Sequence, residues 1–147
     1  MNIDLALAIG FYPDGTVCDS DRRRLENIRN QYTDDLLREL ASRVRAYTPQ
    51  PAYFQSDVTA TTYLDQSGKL SGIVAMGILG DLCVAKTIAH ALFLGINVLV
   101  PTATVIMSHD DMSLQDAVRK YRDQYYHQTN YSYNTSEKGD IFHSLKP

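Results

Sequence analysis

The densest group of side chains suited to acid–base or metal chemistry is His109, Asp110 and Asp111. The group follows an apolar stretch that ends near Met107 and precedes residues typical of a helix start. Strand ends that lead into helices are where α/β proteins collect ligand and metal groups. We therefore expect His109 and Asp110 to be catalytic candidates and Asp111 to be a candidate metal ligand. Ordinary helix capping by aspartate is the competing interpretation.

A second polar group lies in the loop after the first predicted strand. Pro13 and Gly15 give this loop the composition of a turn, with Asp14 between them and Tyr12 just before. If the protein is a metal-assisted hydrolase, Asp14 is a further candidate ligand and His109 the general base. Tyr12 is a candidate ligand-binding residue in the same loop.

This loop resembles a known phosphatase motif. Residues 11–20, FYPDGTVCDS, resemble the DxDGT loop of haloacid dehalogenase-like phosphatases, and residues 94–102, LGINVLVPT, look like the second motif of that family. The resemblance implies a general-acid role for Asp14 and phosphate binding by Thr102. Tyr12 stands where the family has its nucleophilic aspartate and cannot form an acyl-phosphate. We therefore interpret the Asp-Gly-Thr run as a turn.

A fainter resemblance concerns residues 62–65, TYLD. They look like the tyrosine segment of the small phage enzymes that split S-adenosylmethionine, which are ferredoxin-like trimers. The resemblance implies a ligand-binding role for Tyr63. Residues 70–76 contain no counterpart of the catalytic glutamate of that family. S-adenosylmethionine lyase activity is accordingly a minor alternative.

Charged side chains on two predicted helices are the remaining candidates. Lys86 and His90 lie four residues apart on an otherwise apolar helix, where they either contact an anionic ligand or form its exposed stripe. Seven arginines lie from Arg22 to Arg45, and five acids accompany them, from Asp21 to Glu39. A solvated face of ion pairs is one interpretation, and a platform for phosphate groups is the other. They differ in whether the arginines converge on one spot.

The elements that position these residues follow from periodicity and turn residues. The sequence predicts, in order, a strand, a helix or helix pair, a β-hairpin, a helix, a strand and a helix. Their ranges are 3–11, 20–47, 53–76, 82–94, 96–100 and a start near 114. We expect an α+β fold with an antiparallel or mixed sheet and helices packed on one face. The expected order is ferredoxin-like βαββαβ plus a C-terminal helix, and a small doubly wound α/β fold is the alternative.

Length, composition and charge limit the organisation and the partners. The 147 residues predict a single domain over 1–147, and the polar, tyrosine-rich residues 128–147 predict an extended tail. A net charge of −3 disfavours a nucleic-acid partner. The start of the chain lacks the pattern of a secretory signal, so we expect a cytoplasmic protein. Residues 87–108 carry no charge, but Gly95, Asn97 and Pro101 interrupt them, so no membrane span is expected.

These observations favour a protein that binds a small polar or nucleotide-like ligand in a cleft near strand ends, with or without catalysis. The sequence identifies no cofactor. The alternative is a non-catalytic homo-oligomer that sequesters a small molecule or inhibits a protein partner. The C-terminal tyrosines motivate it, because tyrosine suits both subunit contact and base stacking. These tyrosines are Tyr121, Tyr125, Tyr126, Tyr131 and Tyr133.

Overall fold

The structure is a computed structural model that describes residues 1–28 and 33–146. Helices and strands alternate along these residues. The strands are β1 (Leu5–Ile9), β2 (Ala52–Phe54), β3 (Gly72–Ile78), β4 (Asn97–Val100), β5 (Val105–Ile106), β6 (Tyr131–Thr135) and β7 (Ile141–Leu145). The α-helices are α1 (Asp19–Ile28), α2 (Thr33–Tyr47), α3 (Asp57–Gln66), α4 (Ala85–Phe93) and α5 (Leu114–Tyr126). A π-helical turn, Gly80–Val84, leads directly into α4.

One mixed sheet contains all of these strands, in the order β2-β1-β3-β4-β7-β6, with β5 paired to the end of β3. Strands β2, β1, β3 and β4 are parallel to one another. Strand β7 is antiparallel to β4, and β6 is antiparallel to β7. The register aligns Leu7 of β1 with Ala52 of β2 and Ala75 of β3. The loops that follow β1, β2 and β3 therefore leave the sheet at one edge, formed by the carboxyl ends of the strands.

Helices cover both faces of the parallel part of the sheet, because successive side chains of a strand point to opposite sides. On one side, Leu7 and Ile73 pack with Ile88 and other buried residues of α3, α4 and α5. On the other side, Ala8 and Met76 pack with buried residues of α1 and α2. We call these sides the α3–α5 face and the α1–α2 face.

The mixed α+β architecture and mixed sheet of the sequence prediction are confirmed, but helices on a single face are wrong. Every residue of β3, with the sequence GIVAMGI, is buried. A strand that is apolar without alternation needs cover on both sides, as in parallel sheets. The ferredoxin-like strand order is not confirmed, since β2, β1, β3 and β4 are parallel neighbours. The two helical layers agree with the doubly wound alternative.

The predicted β-hairpin over residues 53–76 is wrong, because α3 occupies the middle of this range and β1 lies between β2 and β3 in the sheet. Ser56 caps α3: its side chain accepts a hydrogen bond from the Thr59 amide, and the Thr59 hydroxyl accepts one from the Ser56 amide. Ala60 and Leu64 then bury one side of the helix in the core. The threonines and valine of this segment favour a strand by intrinsic preference. Capping and burial outweigh that preference here.

The C-terminal residues form a hairpin of β6 and β7 rather than an extended tail. Strand β7 pairs with β4, so Val98 aligns with His143, and Tyr131 packs into the core. Residues 133–135 of β6 are all exposed, so the strand lacks a continuous apolar face that a hydrophobicity pattern could detect.

Several sequence predictions are confirmed in position. Strand β1 lies within 3–11, β4 within 96–100, and α5 begins at Leu114 after the N-cap Ser113. The uncharged run over 87–108 consists of α4, a turn, β4 and β5. No helix in the described ranges is both long enough and apolar enough to cross a membrane.

Candidate functional site

The loop after β1 is a tight turn held by its own polar groups. The Tyr12 amide donates to the Thr16 carbonyl at 2.8 Å, and the Gly15 amide donates to the Tyr12 carbonyl at 2.9 Å. Gly15 has φ +84°, a conformation that favours glycine. Asp14 accepts hydrogen bonds from the Thr16 hydroxyl at 2.6 Å and the Thr16 amide at 2.9 Å, which hold its pKa below the ordinary value. Asp14 is therefore an ionised carboxylate committed to the turn.

A cavity of about 610 Å³ lies between this turn and α2. Its walls come from the β1–α1 loop, α1 and α2, on the α1–α2 face. Three arginines from the two helices line it, together with apolar and aromatic side chains. We call it the arginine cavity and define it by Tyr12, Val17, Arg22, Leu37, Arg38 and Arg45.

Positive charge exceeds negative charge on the described walls of the arginine cavity. Three guanidinium groups face two carboxylates, those of Asp19 and Asp34. Arg22 pairs with Asp34 and with Glu26, the latter at 3.3 Å, and Arg38 pairs with Asp35. In the part of the chain that the structure describes, no carboxylate forms an ion pair with Arg45. These side chains are about half exposed or more, so existing pairs bind weakly and leave the arginines open to another anion.

Lys86 and His90 lie on the opposite face of the sheet from the arginine cavity. The His90 Nδ1 is 2.8 Å from the Tyr126 hydroxyl, and its Nε2 is 2.7 Å from Oδ1 of Asp65. The Lys86 ammonium lies 5.5 Å from the centre of the Tyr121 ring. Both side chains thus have protein partners on α3 and α5, and neither lines the arginine cavity.

Tyr63 and Thr102 are separated from the arginine cavity and from each other. Tyr63 is 41% exposed, packs on Phe54 with ring centres 5.2 Å apart, and lines a cavity of about 430 Å³ with Asp4 at the start of β1. Thr102 donates from its amide and its hydroxyl to Asp140, each at 2.8 Å. These bonds tie the loop after β4 to the turn between β6 and β7. Each residue has a structural contact in its own region.

His109, Asp110 and Asp111 are exposed in the bend between β5 and α5. Ser113 is the N-cap of α5 and accepts a hydrogen bond from the Asp116 amide at 3.1 Å. The helix therefore begins at Leu114, after these three residues. Across residues 1–28 and 33–146, no three histidine, cysteine or acidic side chains form a group that could hold a metal ion. Metal-assisted hydrolysis therefore has no geometric support from these residues.

Sequence reasoning misses a polar cluster at the carboxyl ends of β3 and β5. Asp81 is buried and accepts a hydrogen bond from the Ser108 amide at 2.8 Å and another from the Ser108 hydroxyl. Tyr121 donates its hydroxyl to the Asp81 carbonyl at 3.1 Å. The spacing of Ser108 is that of a helix cap, and only the pairing of β5 with β3 brings it to Asp81.

The same edge of the sheet holds both cysteines of the described chain as free thiols. Burial, and then the charges of Asp21 and Asp19, raise the pKa of Cys18 to about 11. Burial also raises the pKa of Cys83, beside Asp57. Thiols with raised pKa values are protonated at neutral pH and are poor nucleophiles. Of the sites described, the arginine cavity alone combines open volume with charged groups that have weak partners.

No protein-family model matches the chain, and no match was found among curated proteins or among solved structures.

Proposed function

We propose that this protein binds a small anionic molecule in the arginine cavity. The observation that carries the proposal is that Arg22, Arg38 and Arg45, from two helices, all line one cavity of about 610 Å³. Guanidinium groups bind carboxylates and phosphates through two parallel hydrogen bonds. Cavities of several hundred cubic ångströms are the usual size of small-molecule sites.

The apolar wall supports a ligand that is more than an inorganic ion. Val17, Leu37 and Ala41 line the cavity with the Tyr12 ring. Pockets for metabolites combine such apolar surface with a few polar groups that fix orientation. The favoured ligand is therefore an organic anion with an apolar part. Nucleotide-like anions fall within this class, because Tyr12 offers an aromatic surface.

Binding is proposed rather than catalysis because of the chemistry of the walls. Among the described residues of the cavity wall there is no histidine, cysteine or lysine, and of the two carboxylates there Asp34 is paired with Arg22, which leaves Asp19 as the single candidate base. Asp14 stands at the rim of the turn but accepts two hydrogen bonds from Thr16.

Titration calorimetry and thermal shift with a defined probe set test the proposal. The set contains citrate, octanoate, octanedioate, AMP and inorganic phosphate, with glycerol and adenosine as neutral controls. S-adenosylmethionine adds a cationic probe for the minor lyase alternative. We expect at least one organic anion to bind and the neutral probes to have no effect. A ligand at 100 times its Kd stabilises the folded state by about 2.7 kcal/mol, which a thermal shift detects.

A matched pair of variants locates the binding. Arg45→Leu removes a guanidinium from the cavity wall, whereas Arg23→Leu removes an exposed one from α1 outside the wall. We expect Arg45→Leu to weaken anion binding about tenfold and Arg23→Leu to leave it nearly unchanged. Equal binding by wild type and Arg45→Leu would show that the anion binds elsewhere, and the absence of binding by every anion would refute the proposal.

A second candidate function is self-association through α4 and α5. Phe93 is 50% exposed and stacks on Tyr126 with ring centres 4.6 Å apart, and Tyr125 is 51% exposed beside them. Exposed aromatic groups of this kind are enriched in protein interfaces. Light scattering at several concentrations tests it, with a homo-oligomer expected for wild type and a monomer for Phe93→Ser with Tyr125→Ser. A monomeric wild type at high concentration would exclude this candidate.

A further inference from the structure

The cavity side of α2 carries an ordered pattern of cation, apolar residue and cation. Arg38, Ala41 and Arg45 are spaced by three and four residues and all line the cavity, so they share one side of the helix. Two helical turns separate Arg38 from Arg45, which places their backbones about 10 Å apart along the axis. Positive charge therefore stands at two separated points of the same wall.

The surface of α2 between those two points is apolar, because Ala41 is the residue that lines the cavity between Arg38 and Arg45. Val17 and the Tyr12 ring line the cavity from the β1–α1 loop, where the Thr16 hydroxyl is already bonded to Asp14. Asp19, at the start of α1, also lines the cavity. A flexible or planar hydrocarbon segment fits against Ala41, Val17 and the Tyr12 ring.

We infer that the ligand of the arginine cavity is an elongated dianion with an anionic group at each end and an apolar middle. This inference rests on the proposed anion-binding function. Medium-chain dicarboxylates are the simplest members of the class, and phosphate or sulfate termini satisfy the same guanidinium chemistry. Arg45 holds one end of the ligand, and Arg38 holds the other.

Both arginines are available to such a ligand. Arg45 forms no ion pair with any carboxylate of the described residues, and Arg38 pairs with Asp35 through side chains that are 73% and 68% exposed. Exposed pairs of this kind contribute little to stability, so a ligand carboxylate can replace Asp35. A dianion whose charged groups are about as far apart as the two arginines pairs with both in place, whereas a compact anion pairs with both only if the side chains bend towards each other.

A length series of carboxylates measured by titration calorimetry tests the inference on the full chain. The probes are butanedioate, octanedioate, octanoate and octane-1,8-diol. We expect octanedioate to bind at least tenfold more tightly than octanoate or butanedioate, and the diol not to bind. The second carboxylate then adds affinity only when the chain is long enough to span the cavity.

Variants assign the two ends of the ligand. Arg38→Leu and Arg45→Leu should each lower octanedioate affinity to about that of octanoate for wild type, while the control Arg23→Leu keeps wild-type affinity. Circular dichroism and thermal unfolding of each variant confirm that it folds. Because the three changes are on exposed helix positions, folding is expected to be retained.

The outcomes separate this inference from the proposed function. If octanoate and octanedioate bind equally and both lose affinity in Arg45→Leu, the cavity binds anions but the dianion inference is wrong. If none of the carboxylates binds, and neither phosphate nor AMP binds, the proposed function is wrong as well. Tighter binding of butanedioate than of octanedioate would also overturn the inference, because it would show that one compact anionic point is recognised.

Discussion

The two faces of the sheet treat polar side chains in opposite ways. On the α3–α5 face, His90 is held between Asp65 and Tyr126, and the fully buried Arg122 donates through Nη2 to Gln128 and Asn130. Among the described residues, Nε and Nη1 of Arg122 have no hydrogen-bond partner, so this guanidinium group is enclosed but only partly satisfied. On the α1–α2 face, Arg22 and Arg38 stand in exposed ion pairs around an open cavity. Enclosed polar side chains cannot reach a ligand, whereas exposed arginines in weak pairs can bind one.

The largest expected difference between the faces concerns packing. Leu92 of α4 is 1% exposed in the core of the α3–α5 face, whereas Leu37 of α2 is 6% exposed in the core of the α1–α2 face and also lines the arginine cavity. We expect Leu92→Ala to lower the free energy of unfolding by about 4 kcal/mol and Leu37→Ala by about 2 kcal/mol, because water can fill the space left beside an open cavity. Urea unfolding measures both, and equal losses would show that the two faces are packed equally well.

The next largest effect is a pH dependence of the free energy of unfolding that arises from His143 in the β6–β7 hairpin. Burial lowers the pKa of His143 from 6.5 to about 4 in the folded protein, where it hydrogen-bonds Tyr131. Between pH 6.5 and 4 the unfolded chain binds a proton at this residue and the folded protein does not. The stability contribution of His143 should therefore be complete above pH 6.5 and fall as the pH drops towards 4, by at most about 1.4 kcal/mol for each pH unit.

Urea unfolding from pH 7.5 to 4 measures this dependence. His143→Gln should flatten the curve in that window, and His109→Gln, at an exposed position, should leave it unchanged. A wild-type curve that is flat between pH 6.5 and 4 would contradict the depressed pKa.

A smaller effect compares one hydroxyl that is buried with one that is exposed. Ser108→Ala removes a hydrogen bond to the buried carboxylate of Asp81, and Thr16→Val removes one to the exposed Asp14. We expect losses of about 2 kcal/mol and about 0.5 kcal/mol respectively, because water can replace the partner of Asp14 but not that of Asp81. Thermal unfolding measures the stability of the two variants. A larger loss of stability in Thr16→Val than in Ser108→Ala would contradict this prediction.

The smallest expected effect on stability is at the wall of the arginine cavity. Asp34→Asn removes the partner of Arg22 and should change the free energy of unfolding by less than about 1 kcal/mol. The same change removes one of two carboxylates from the wall, so anion affinity should rise about threefold. Calorimetry with octanedioate checks the affinity. A loss of affinity in Asp34→Asn would mean that the carboxylate positions Arg22 for the ligand.

The sequence predicts the elements with a clear apolar period and misses those without one. Strand β1 and helix α5 are predictable because Leu7 and Ile9, or Leu114 and Val118, repeat at strand or helix spacing. Helix α3 is missed because its threonines favour a strand, and only its cap and its packing on α4 make it helical. Strand β6 is missed because its last three residues are all exposed and only Tyr131 is buried, which leaves no apolar period to detect.

The candidate site is predictable in part, for a related reason. The sequence singles out Tyr12 and Asp14 by turn composition, and the structure places their loop beside the arginine cavity. It also raises the question of convergent arginines, which spacing on one helix cannot answer. Convergence depends on the angle between α1 and α2, and that angle follows from burial of Leu25 and Leu40 against the sheet. For Lys86 and His90 the sequence suggests a ligand where the structure has protein partners. Those partners, on α3 and α5, are far away in the sequence and so cannot be predicted from spacing along α4.

The strand order has a consequence for the order of folding. Strand β6 joins the sheet only through β7, which follows it in the chain and pairs with β4. The two last strands can therefore enter the sheet as a preformed hairpin, or β7 can pair first, but β6 cannot enter before β7. Until β7 pairs with it, β4 presents a row of unpaired amide and carbonyl groups to which a second chain can add a strand.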